Sequence, residues 1–267
     1  MSSDLQELVI LAVPRTGTNY LCATLAKFQK SVALYELFHP DAAYGLRSRD
    51  YLISHFSSVL GQPLLDLQDR AIVRHVHKHP LRTLDEIAQL AGAAGERLLS
   101  YKIFPGHLPD ATLGQLLAER RPKVLFIVRD RLPTFISMLK ARTSGQWTNV
   151  DTTSLTVKAH VDEFLAWAED CDRWYAATSA MVRSAGLLET VLGYERHLDA
   201  SEPELVTTLT AALARLGISL GEASQFIKQD RTEGIFQRIS NGAEFERRLR
   251  DAGKLDYALA PPLTDDQ

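Results

Sequence analysis

Residues Val9 to Phe28 read V-I-L-A-V-P-R-T-G-T-N-Y-L-C-A-T-L-A-K-F, which places an apolar strand, a tight polar turn and an amphipathic helix within twenty consecutive positions. Leu8 to Val13 is an unbroken apolar run, the pattern of a strand covered on both faces in a parallel sheet. The turn that follows delivers backbone N–H groups at a helix start. Gly17 lets the backbone approach an anion closely, Thr16, Thr18 and Asn19 carry hydrogen-bonding side chains, and the helix adds its dipole. An oxyanion is the natural guest of such a turn. The common nucleotide-triphosphate loop, G-x-x-x-x-G-K-[ST], is absent, because position 12 is Ala and no Lys follows Gly17. The cation of this turn is Arg15, ahead of the glycine.

A second stretch repeats the plan. Pro122 to Ala141 reads P-K-V-L-F-I-V-R-D-R-L-P-T-F-I-S-M-L-K-A, with Ser137 eight residues after Arg129. Val124 to Val128 fits a buried strand, Arg129-Asp130-Arg131 interrupts it, and a helix opens near Pro133. Further strands are predicted at Leu98–Ile103 and Leu188–Tyr194. Strands alternating with helical patterns mark an α/β fold, here a P-loop-like central parallel sheet with helices on both faces. Ligands of such sheets bind beyond the carboxyl ends of the strands, where Pro14–Asn19, Arg129 and Glu195 fall.

The two segments together resemble the sulfotransferases that use 3′-phosphoadenosine 5′-phosphosulfate (PAPS). In that family a P-[KR]-[ST]-G-[ST]-[TN] loop holds the 5′-phosphosulfate, and an Arg with a Ser eight residues later holds the 3′-phosphate. Arg15, Thr16, Gly17, Thr18 and Asn19, and then Arg129 with Ser137, match position by position. Tyr101-Lys102-Ile103-Phe104-Pro105 is similar to the family's K-I-F-P segment, and Val191–Glu195 to its late strand ending in Tyr-Glu. Lys228-Gln229, followed by Ile239-Ser240-Asn241 and Glu244-Phe245, resembles its C-terminal nucleotide-contacting stretch. Arg ahead of the loop and the segment Tyr35-Glu36-Leu37-Phe38 are closest in character to the bacterial carbohydrate sulfotransferases of the trehalose and Nod-factor type. The resemblance implies transfer of a sulfuryl group from PAPS, as co-substrate, to a hydroxyl of a carbohydrate or glycolipid, with release of adenosine 3′,5′-bisphosphate and no metal. A homodimer is compatible with it.

Sulfuryl transfer needs in-line geometry, neutralisation of charge on the leaving phosphate, and removal of the acceptor's proton. Arg15 answers the second need. For the third, Glu36 matches the family's acidic position and lies among Leu34, Leu37 and Phe38, an apolar setting suited to a general base; His39 is its rival, since imidazole suits that task near neutrality. Lys102, at a strand end, lines the site or assists the leaving group. Lys228, Gln229 and Arg231 form a basic stretch placed to close over the nucleotide, and Arg131 is a further phosphate contact. In a strand, His75, His77 and His79 would share one face, as a zinc site requires. No nearby Cys or paired carboxylate completes a metal set, so acceptor-pocket lining or a polar surface is expected there.

A chain of 267 residues with 45% apolar and 24% charged residues suits one α/β domain. That domain is expected over residues 1–257, with an acceptor-side insert at about 38–96, mainly helical, and a flexible tail at 258–267. The net charge of −3 argues against a nucleic-acid binder, whose footprint is basic. The N-terminus lacks the basic stretch of a signal peptide and no apolar run approaches a membrane span, so a cytoplasmic location without a transmembrane segment is expected. Cys22 and Cys171 are expected to be reduced, and Trp167, Trp174 and Tyr175, on one helical face, to pack in the core. Two other classes share the strand, loop and helix. A nucleotide or sugar kinase would want the Walker lysine, and a non-catalytic nucleotide-binding module would lack a base, which makes Glu36 and His39 the discriminating residues.

Overall fold

The computed structural model describes residues 5–147, 155–219 and 234–264. Five parallel strands, β1 (Gln6–Ala12), β2 (Ser31–Ala33), β3 (Leu98–Ile103), β4 (Lys123–Val128) and β5 (Glu189–Gly193), form one sheet in the order β2-β3-β1-β4-β5. The strand that carries the anion turn is therefore central. Its residues alternate between two packed layers, as a period of two dictates. Leu8, Ile10 and Ala12 meet α1 (Thr18–Leu25) and α8 (Glu202–Arg215) through Leu21, Leu25, Leu205 and Leu209. Val9, Leu11 and Val13 belong to the larger core on the other face, with Tyr101, Phe126 and Tyr175. Coverage on both faces is why β1 reads as an uninterrupted apolar run.

Helices α2 (Asp50–Leu60), α3 (Arg70–Lys78) and α4 (Pro80–Ala93) fill the span between β2 and β3, so the expected insert is helical. The long helix α7 (Val161–Ser184) buries Tyr175 completely and packs Trp167 and Trp174 against the same core, as their spacing predicts. Helices α5 (Asp110–Arg120), α6 (Arg131–Ser144), α9 (Gly242–Asp251) and α10 (Leu255–Ala258) complete the layers, and Phe135, Phe164 and Phe245 form a satellite cluster between α6, α7 and α9. Cys22 and Cys171 are buried and unpaired, and burial pushes the Cys22 thiol up to about 11, so neither is a disulfide partner. Among the described residues no helix is long and apolar enough to cross a membrane.

The histidine run lies on helix α3 and its C-cap His79, the buried stripe of the helix being Ile72 and Val76 at i, i+4; the His75 and His79 rings meet edge to face at 5.7 Å while His77 turns towards His39, and no metal-holding cluster forms among the described residues. Two expectations are corrected. The stretch from Ala258 to Thr264, expected to fray, is anchored. Arg131 donates through Nη1 to the carbonyls of Ala260 at 2.7 Å and Pro261 at 2.9 Å, and Leu263 joins the core. Arg131 is thereby spent on structure, with Asp172 at 2.9 Å as its counter-charge, and does not serve as a phosphate contact. β2, only three residues long, carries too short a pattern to register in the sequence.

Tyr175 ties the sheet to the anion turn. Its hydroxyl donates to the Ile127 carbonyl at 2.7 Å and accepts the Val13 N–H at 3.0 Å, one bond short of the turn. Tyr175→Phe strands two buried backbone groups, and the expected loss is about 1–3 kcal/mol. At about 2–4 °C per kcal/mol for a domain of this size, the thermal midpoint should drop by about 2–12 °C, which a thermal melt of the two proteins checks.

Candidate active site

The turn after β1 has two residues in the left-handed region, Arg15 at φ 74° and Gly17 at φ 83°. At Gly17 the left-handed φ and space both favour glycine: a Cβ there would lie 2.6 Å from the Tyr194 ring, which would have to move. Arg15 accepts the roughly 1–2 kcal/mol backbone penalty of that conformation, and its side chain is aimed back across the turn. Thr16, fully buried, donates its hydroxyl to the Val13 carbonyl at 2.9 Å, so its proton braces the turn rather than facing outward. Helix α1 begins at once, its first i→i−4 bond running from the Leu21 N–H to the Gly17 carbonyl at 3.1 Å. The amides ahead of that bond and the helix dipole face the same opening.

The end of β4 contributes the second half. Arg129 donates through Nη1 to the Arg15 carbonyl at 3.1 Å, and Arg15 donates through Nε to Ser137 Oγ at 3.0 Å. Arg15 also meets the carbonyl of Trp147. Arg129 lies over the Tyr194 ring at 4.2 Å, so the ring that closes on Gly17 also supports a guanidinium. Burial and then the repulsion of Arg129 lower the pKa of Arg15 from its ordinary value. Two neighbouring guanidinium groups in a partly dry cleft form a seat for an anion. The carboxylates nearby are Glu195, 3.4 Å from Arg129 Nε, and Asp130, whose acid is pushed up to about 6 by burial and by Glu195.

On the other flank of the turn, the penultimate residue of β3 is Lys102, which is 1% exposed. Its ammonium reaches Thr18 Oγ1 at 3.3 Å, Asn19 Oδ1, and Glu36 Oε1 at 3.0 Å, three acceptors for three N–H donors. Glu36 is brought here by the chain leaving β2: Leu34 N–H bonds to the Ser100 carbonyl at 2.7 Å, and the Tyr35 carbonyl accepts from Lys102 N–H at 2.8 Å. Gly45 lies so close behind Leu34 that a Cβ would sit 1.9 Å from its carbonyl oxygen. Glu36 is a fifth exposed, open to a ligand on one side.

Two histidines attend Glu36, and each has one ring nitrogen occupied. His39 Nδ1 accepts the Asp41 N–H at 3.1 Å, and His107 Nδ1 accepts the Phe104 N–H at 3.2 Å. In the neutral ring these bonds put the proton on Nε2, making both residues donors at that atom. His107 Nε2 lies 3.8 Å from Glu36 Oε2. Sequence reasoning missed His107; its signal is the Pro105-Gly106 turn, which folds position 107 back onto Phe104. Tyr194 was also missed, since nothing local reveals that its ring closes on Gly17. The structure thus brings together Arg15, Thr16, Gly17, Thr18, Asn19, Arg129 and Ser137, with Glu36, His39 and Lys102 beside them. Lys228, Gln229 and Arg231 lie outside the described residues.

Burial, followed by His39, Lys102 and His77, pushes His107 down to about 3. An unfolded histidine binds a proton below about pH 6.5, whereas the folded one does so only near pH 3. Its contribution to stability is therefore present above 6.5 and is lost as pH falls from 6.5 towards 3, at up to about 1.4 kcal/mol per pH unit. Between pH 7 and 5 this amounts to about 2 kcal/mol. Urea unfolding at the two pH values should show His107→Asn losing that much less than the parent; equal losses would mean that His107 is not held neutral. No family model matches the chain and no curated protein matches it.

Proposed function

We propose that this chain is a sulfotransferase that moves a sulfuryl group from PAPS to a hydroxyl of a carbohydrate or glycolipid and releases adenosine 3′,5′-bisphosphate. One observation carries this reading: Arg15 and Arg129, from two separate strand ends, and Ser137 of α6 meet beside the Gly17 turn. A nucleotide with phosphates on both its 5′ and 3′ sides needs two anion seats this close together. The turn and helix α1, in the middle of a parallel sheet, support a P-loop-like version of the α/β fold.

The residues divide the chemistry. The amides of the α1 turn and Arg15 hold the 5′ group, and Arg15 gains most as charge moves onto the leaving phosphate. Arg129 and Ser137 hold the 3′-phosphate. Glu36 takes the proton of the acceptor hydroxyl while Lys102 fixes it to Thr18 and Asn19, so base and turn keep one spacing. His39 is less suited to be the base, because its Nδ1 lone pair already accepts from Asp41. A kinase reading lacks the lysine after Gly17, and Lys102 reaches the turn from β3 to bind carboxylate, hydroxyl and amide oxygens of the protein itself.

Arg129→Ala should weaken adenosine 3′,5′-bisphosphate by about 2–4 kcal/mol and leave AMP nearly unchanged. Calorimetry with both nucleotides tests this, and equal losses would overturn the cofactor assignment. Glu36→Gln keeps size and hydrogen-bond reach but cannot accept a proton. Transfer from labelled PAPS across a panel of acceptor sugars should fall by about 10²–10⁴ while the nucleotide still binds; near-normal turnover, with loss instead in His39→Ala, would move the base to His39.

A further inference from the structure

Arg129, assigned to the 3′-phosphate, already grips an anion that belongs to the protein, with the neighbouring Asp130 amide. Glu195 Oε1 lies 3.4 Å from Arg129 Nε, and its Oε2 accepts the Asp130 N–H at 3.3 Å. One side-chain donor and one backbone donor thus hold the two oxygens of a carboxylate, as they would hold two oxygens of a phosphate. The carboxylate is carried by the π turn Tyr194–Leu198, closed by the Asp199 N–H to the Tyr194 carbonyl at 2.7 Å. The Tyr194 ring in that turn lies between Gly17 and Arg129, whereas the Glu195 side chain is 36% exposed, open to solvent beside its two partners. The surrounding charges are Arg15 and Arg129, with Asp130 beside them; Arg131 is already paired with Asp172.

We propose that Glu195 is an internal stand-in for the 3′-phosphate: it holds Arg129 and the Asp130 amide until the nucleotide displaces it, and retakes them to speed nucleotide release. This rests on Arg129 being the 3′-phosphate seat. The pair is long at 3.4 Å, with its carboxylate partly exposed, so a phosphate dianion, with more charge and more acceptor oxygens, can win Arg129. The apparent affinity is nevertheless reduced by the fraction of time that the carboxylate holds the seat, and repulsion between carboxylate and bound phosphate adds to that reduction. The bound nucleotide is consequently left less stable and departs faster.

Glu195→Gln retains an acceptor for the Asp130 amide and removes the charge. It should bind adenosine 3′,5′-bisphosphate about 3- to 10-fold tighter, with dissociation in stopped flow slowed by a similar factor, while AMP changes by less than about twofold. On an Arg129→Ala background the same substitution should give a clearly smaller gain, since only the repulsion is then relieved. Unchanged or weaker binding of the bisphosphate by Glu195→Gln would overturn the stand-in role, the weaker case marking Glu195 as a support for Arg129. Should the parent protein fail to prefer the bisphosphate over AMP, or Arg129→Ala weaken both alike, the 3′-phosphate seat itself falls; that arm leaves Glu195 untouched, so the two failures are told apart.

Discussion

A buried ammonium must find acceptors for all three of its protons, because each ion removed from water costs several kcal/mol unless it is compensated. Lys102 meets that demand with one oxygen from each of Thr18, Asn19 and Glu36, and so joins β3, the start of α1 and the segment leaving β2. These three pieces are far apart in sequence and would otherwise be related only through the sheet. The backbone bonds of Leu34 and Tyr35 to β3 bring Glu36 beside the anion turn, and this one charge fixes its carboxylate there. The charge is also shielded, since the Phe104 and Tyr35 rings flank the ammonium at 5.0 and 6.0 Å.

The two ends of the sheet are built differently. At the amino ends of the strands, Arg120 places its fork on Glu7 and reaches Asp85, while Tyr101 donates to Glu7 at 2.6 Å. These contacts lock β1, β3 and α5 together. At the carboxyl ends Arg15, Arg129 and Lys102 gather around the anion turn, and among the described residues Glu195, Asp130 and Glu36 oppose them. The locked end holds the sheet in place, so that the other end can carry a ligand-facing set of charges.

Much of this was legible in the sequence. The apolar runs of β1, β3 and β4 are strong because each strand is buried on both faces, and Arg15, Arg129 and Ser137 are near those strand ends in the chain. What was hidden depends on contacts between remote segments. β2 is too short to show a period, and the histidines of α3 give no clear secondary-structure signal, because alternate polar residues look alike in a strand and in a short helix whose buried stripe has only two members, Ile72 and Val76. The tail looked loose from its prolines and acids; the arginine that gathers its carbonyls is more than a hundred residues away. His107 needed the knowledge that Glu36 would arrive beside it.

The Tyr194 ring is in contact with Gly17 on one side and carries Arg129 on the other. A larger residue at 17 would push the ring away, and a smaller one at 194 would leave the guanidinium without its platform. Positions 17, 129 and 194 therefore behave as one heritable unit. Drift at any of them alone is penalised, so in divergent copies of this chain the three should change as a set, even though no two of them belong to the same segment of secondary structure.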